Sequence, residues 1–261
     1  MGDLFARTSA AVITLANGCL MLVVWRASFA VAQGRRASER SEGAEHAASL
    51  AQTCLALFGL LLAFSFGTVY AKYESRRLET VAEANAIGTF AIRLRLLPED
   101  AREPLLDALR QYIRLHRAIV DPVRTYAERR GLDHEIRALQ SRMVDSLTAW
   151  LRTPAGGPLT ITLLPSLNAV LDQYEVRVAG ITSHVPYDVL ALVVVMSLVT
   201  AWAVGRSEGF AQNFPPRSTI FFLLLVSAAL YCTLDLDQPW TGLSRVSESP
   251  MERLAESLGA E

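Results

Sequence analysis

Three sets of residues in the chain have types and spacings that point to specific chemistry. Glu83 and Asn85 lie two apart in a stretch of helical spacing, and Arg177, far along the chain, can pair with Glu83 in a charge-assisted hydrogen bond. Buried between helices, this set is a structural polar clamp, because a buried carboxylate is tolerated only when it is paired. On an open face the same residues would be an ion or regulator site. Asp235 and Asp237 offer carboxylate oxygens of the kind that calcium takes. Two are too few for a full site and no EF-hand spacing follows, so the other reading is an acidic pair that ends an apolar helix and bonds basic groups at an interface. Ala56, Leu60 and Phe64 recur at i, i+4 within an apolar run, a stripe that serves packing or lipid contact in any membrane helix.

Other reaction chemistry is missing from the sequence. There is no phosphate-cradling GxxxxGK, no GxSxG nucleophile turn, no HExxH and no CxxC. His46, His116, His134 and His184 are scattered without i, i+4 pairing, and Cys19, Cys54 and Cys232 each sit in a different apolar run, where they act as small hydrophobes. The expectation is therefore no enzyme, no cofactor and no metal. A net charge of −1 among 261 residues lacks the clustered basic footprint of a nucleic-acid binder.

The elements that must position these residues are helices. Residues 47–71 form an apolar run of about 25 residues, enough to span a bilayer with tilt. They pass without a breaker into 72–97, where Val81, Ala84, Gly88 and Ala91 make a narrow face of small residues open to a close neighbour. Residues 9–31 form a first span; Ala30-Val31-Ala32 has the form of a signal cleavage site, but Arg26 interrupts the region before it, which favours a membrane helix. A polar connector, 32–46, links the two. After Pro98, Leu105, Leu109, Tyr112 and Ile113 keep a helix period that Pro122 should end. Asp133 can cap the next helix, and another runs up to Pro186. Residues 186–205 and 218–234 are the third and fourth spans, the latter starting beside Pro215 with Ser218 or Thr219 as cap. A polar tail, 235–261, follows with a turn at Pro239 and a short helix near its end. The fold class expected is all-α: four transmembrane helices with a helical extramembrane domain, 72–185, inserted between spans two and three.

Several of these stretches resemble a known family. LFGLLLAFSFGTVYAKYESRR at 57–77, EANAIG at 83–88, RLRLLPEDAR at 93–102 and YCTLDLDQPWTGLSRVS at 231–247 are similar, in that order, to the bacterial bestrophin-like domain family of four-span membrane proteins. A more distant likeness connects that family to bestrophins, pentameric ion channels lined by their second membrane helix. The resemblance implies a homo-oligomer, a pentamer, in membrane lipid, with ions as the permeant partners. Through the GLLLAF and YESRR strings, Ala56, Leu60 and Phe64 fall where bestrophins have an apolar pore neck. Stacked rings of such side chains gate by dewetting. Animal bestrophins hold calcium in an acidic cluster after the last span, which this chain lacks around Asp235 and Asp237.

Basic residues divide evenly between the two sides of the spans, Arg7, Lys72, Arg76, Arg77 and Arg245 against Arg35, Arg36, Arg40, Arg206 and Arg217, so charge does not orient the chain. The resemblance implies a cytoplasmic domain and an inner-membrane location. The expected function is a bestrophin-like oligomeric ion channel; the alternative is a non-conducting membrane scaffold or sensor whose helical stalk engages partner proteins.

Overall fold

The structure is a computed structural model that describes residues 10–35, 37–121, 123–211, 216–238 and 243–260, and among them no strand occurs. The helices are α1 (Ala10–Gln33), α2 (Ala37–Leu94), α3 (Glu99–Ile119), α4 (Tyr126–Leu151), a single 3-10 turn (Gly157–Leu159), α5 (Thr160–Thr182), α6 (Tyr187–Phe210), α7 (Pro216–Asp237) and α8 (Ser249–Leu258). Four stretches, Ala10–Gln33, Gly43–Leu94, Gly157–Phe210 and Arg217–Asp237, contain helices long and apolar enough to cross a membrane. The break expected at Pro122, the turn at Pro239 and the helix start beside Pro215 lie outside the described residues.

At 58 residues, α2 is the longest element, about 87 Å from end to end. It begins at Ala37, well before residue 47: residues 37–46 hold no proline, and their Ala, Glu and Arg propagate a helix through the weaker formers Ser and Gly43. It ends at Leu94. There the N–H groups of Arg95, Leu96 and Leu97 bond to the carbonyls three residues back, a tightened last turn that Pro98 keeps from continuing.

Helix α4 starts earlier than Asp133. Thr125 accepts from the Glu128 backbone N–H at 3.4 Å, and the Glu128 carboxylate accepts from the Thr125 N–H at 2.7 Å, a reciprocal capping box. Asp133 therefore lies inside the helix, where it pairs with Arg137 at 3.0 Å. Helix α7 likewise starts before Ser218 and Thr219, and Thr219 donates to Glu208 at 2.6 Å instead of capping.

The chain divides into two compact units, one of Met1–Tyr73 with His184–Ser244 and the other of Glu74–Ser183 with Arg245–Glu261. In the first, α1, α6, α7 and the first part of α2 bury Met21, Trp25, Phe58, Leu190, Val193 and Leu230. Its tightest seam is between α1 and α6, where Gly205 and Gly209, four apart, face the α1 backbone. A Cβ on Gly209 would lie 2.6 Å from the Phe29 carbonyl oxygen, and one on Gly205 would collide with the Trp25 carbonyl. This is the close small-residue packing that membrane helices use where lipid gives no hydrophobic drive. Polar bonds reinforce it: Asn17 donates to Ser197 at 3.1 Å, Ser28 to the Trp202 carbonyl at 2.7 Å and the Trp25 indole to Glu208 at 2.8 Å.

In the second unit, the last part of α2 packs with α3, α4, α5 and α8 around Ile87, Phe90, Leu109, Ile136, Met143 and Leu167. The polar tail contributes to this core. Met251 of α8 is fully buried, Ala255 nearly so, and a Cβ on Gly88, on the small face of α2, would lie 3.5 Å from the Leu254 side chain. Helix α8 stops at Gly259, whose φ of 64° suits a residue without Cβ, and Ala260 returns its N–H to the Ala255 carbonyl at 2.9 Å.

Candidate functional site

Two places on α2 differ from the ordinary packing of a helical protein. The first is the stripe Ala56, Leu60 and Phe64. Cys54, Phe58, Ser65 and Val69 face the interior of the first unit, and the stripe lies on the opposite side of the helix: Ala56 is exposed, Leu60 is 55% exposed and Phe64 is 68% exposed. No cation or fixed charge lies within the stripe itself, so its chemistry is that of an apolar surface with a large ring at one end. A lone chain has no use for it in its own core.

The second is a buried charged cluster in the other unit. Glu83 of α2 is wholly inaccessible, and its carboxylate accepts from the Tyr112 hydroxyl at 2.6 Å, from Arg177 at 3.0 Å and lies 3.0 Å from His116 Nε2. Arg177 of α5 is in turn close to His116 and donates its other terminal nitrogen to Glu248 at 2.7 Å. Three helices and the segment before α8 thus meet at one guanidinium and one carboxylate. Tyr112 packs edge-on against Tyr174, centroids 6.0 Å apart, and the Tyr174 hydroxyl donates to Asp133 at 2.6 Å.

The electrostatics follow from this geometry. Burial alone would push the Glu83 carboxyl up, but the charges and hydrogen bonds of His116, the charge of Arg177 and the hydroxyl of Tyr112 outweigh it and hold the group down at about 2. Burial and the neighbouring Glu83 carboxylate push the Tyr112 phenol well above its ordinary range, so it stays a donor. His116 Nδ1 and Glu248 Oε2 are buried without a hydrogen-bond partner among the described residues. Nothing here is a poised nucleophile: the Glu83 carboxylate and the Arg177 guanidinium face each other as a buried ion pair.

Arg177 therefore joins Glu83, but Asn85 does not. Asn85 is exposed, because two residues along a helix rotate its side chain about 200° away from Glu83. His116 continues the step of three and four from Leu109 and Tyr112 onto the buried face of α3, a signal the spacing carries; Glu248 has none, since its partner lies 71 residues away. Arg76 is not legible either: it is buried and donates to the carbonyls of Gly180 and Ser183 at 3.1 and 2.9 Å, closing α2 on the exposed end of the α5 ladder.

Asp235 and Asp237 are both buried, and each is engaged on its own. Asp235 accepts from the backbone N–H groups of Leu243 and Ser244 at 3.1 and 2.9 Å and from the Tyr231 hydroxyl at 3.0 Å. Asp237 accepts from the Val185 N–H at 3.0 Å and lies 3.3 Å from His184 Nδ1. Oxygens occupied by backbone donors are not directed at a shared cation, and no group of three or more His, Cys, Asp or Glu suited to a metal occurs among the described residues.

A family model described as Bestrophin-like domain matches residues 18–251. Among solved structures, a bacterial bestrophin homologue from Klebsiella pneumoniae is similar in fold, with a TM-score of 0.61, 12% sequence identity and 94% of each chain covered. No curated protein matches the chain.

Proposed function

The chain belongs to the bestrophin-like domain family, and from that premise we propose that it forms an oligomeric ion channel of the bacterial inner membrane, with Ala56, Leu60 and Phe64 of α2 lining its narrow neck. The observation that carries this reading is the exposure of Leu60 and Phe64, large apolar side chains turned away from their own unit. Copies arranged about one axis would stack these residues as hydrophobic rings, and such a constriction passes ions only when it is wetted. Five copies, a cytoplasmic helical domain and ions as the permeant partners come from the resemblance to bestrophins.

Within that arrangement, the cluster of Glu83, His116 and Arg177 is the clamp that fixes the helices of the extramembrane unit, and Asp235 and Asp237 hold the chain as it leaves α7. The test is Phe64→Ala, read by ion flux into liposomes together with the mass of the purified oligomer. Removing a ring of large apolar groups from the neck should raise flux while the oligomer stays intact. A parent and a mutant that both fail to conduct, as monomer or dimer, would instead favour the non-conducting scaffold.

A further inference from the structure

We propose that the groove between α3 and α4 binds a small anion bearing a phosphate or carboxylate group. The groove has a volume of about 540 Å³ and is lined by Arg110, Gln111 and Arg114 from α3 and by Arg142 and Ser146 from α4, over a floor that includes Met143. This volume lies within the ordinary range of small-molecule sites.

Three arginines face a single lining carboxylate, Asp107, and that carboxylate is already taken. Arg110 donates to Asp107 at 2.6 Å and to the Leu258 carbonyl at 2.8 Å, so its guanidinium is fixed before any ligand arrives. Arg114, one helical turn from Arg110, has no hydrogen bond or ion pair among the described residues; neither does Arg142, although Asp145 stands three residues away on the same helix. Gln111 and Ser146 are likewise exposed and unbonded among the described residues, which adds neutral donors to the same concavity.

Asp107 and Glu103 offset Arg110, but no carboxylate among the described residues pairs with Arg114 or Arg142. A guanidinium presents a planar fork that matches the two oxygens of a carboxylate or phosphate, so an anion seated between Arg114 and Arg142 would meet both forks. The neighbourhood argues for a small ligand and against a polymer: Glu103, Asp107 and Asp145 flank the groove, so the positive surface does not extend along a track.

The full chain in lipid nanodiscs, titrated by calorimetry at constant ionic strength with glycerol 3-phosphate and with succinate, tests this. At least one probe should bind, and the one that does identifies the head group. Combining Arg114→Gln with Arg142→Gln should weaken that binding about tenfold or more, while Arg117→Gln, on the same helix but not lining the groove, should leave it unchanged. Arg142→Lys, which keeps the charge and loses the fork, should also weaken it, and serves as the readout if the double variant proves unstable. Failure of both probes to bind, or equal weakening by Arg117→Gln, would overturn the site.

Discussion

Glu83 accepts hydrogen bonds from Tyr112 and Arg177 beside His116 in a place with no access to water. Glu83→Gln keeps the shape and removes the charge, leaving Arg177 to Glu248 alone. The expected loss is about 3–5 kcal/mol, the usual cost of breaking a buried pair from one side, measured by thermal unfolding of the purified protein. The same carboxylate gives the protein an acid dependence of known sign. Its folded value, about 2, lies below the ordinary 4.5, so the unfolded chain takes up a proton that the folded one refuses. Its stabilising contribution is present in full above about pH 5 and declines as pH falls through the folded value. In Glu83→Gln that part of the acid profile should flatten, which circular dichroism across the same range would record; an unaltered profile would remove Glu83 from its cause.

At the scale of elements, Gly205 and Gly209 make a sharper demand than any side chain in the first unit. Gly209→Val would drive a branched side chain into the Phe29 carbonyl and the Ala32 side chain, so α1 and α6 must separate and lose the bonds that Asn17, Trp25 and Ser28 make across the seam. Folded yield in detergent should fall steeply, whereas Gly59→Ala, where a Cβ meets no atom within 4 Å, should leave the isolated chain's fold intact. The existence of α1, α2, α6 and α7 is legible in the sequence because hydropathy and helix period are local properties. Their ends are less so: the Thr125 and Glu128 pair that starts α4 is readable as a capping box, yet Asp133 offers a competing cap further along the same stretch. The partners of Glu83 divide in the same way, with Arg177 accessible through charge complementarity, Tyr112 and His116 placed on a buried face by the helix period, and Glu248 set by packing that no local pattern encodes. Asn85 shows the reverse, a polar neighbour in sequence that the helix turns out to solvent.

For the whole molecule, the second unit depends on a segment far removed in sequence. Removing residues 245–261 would take Met251 and Ala255 out of its core and Glu248 away from Arg177. The remaining chain should show a less cooperative unfolding transition and faster proteolysis within 74–183, measured by limited digestion, because a cavity opens and Arg177, still paired with Glu83, loses its second carboxylate. This arrangement also orders the protein's birth. Ribosomes deliver 74–183 before α6 and α7, and only after these the segment that closes the core around Met251. During that interval the small face at Gly88 and the guanidinium of Arg177 wait without their α8-side partners, a nascent surface that a chaperone can cover and that a stalled or prematurely terminated chain would leave open to degradation.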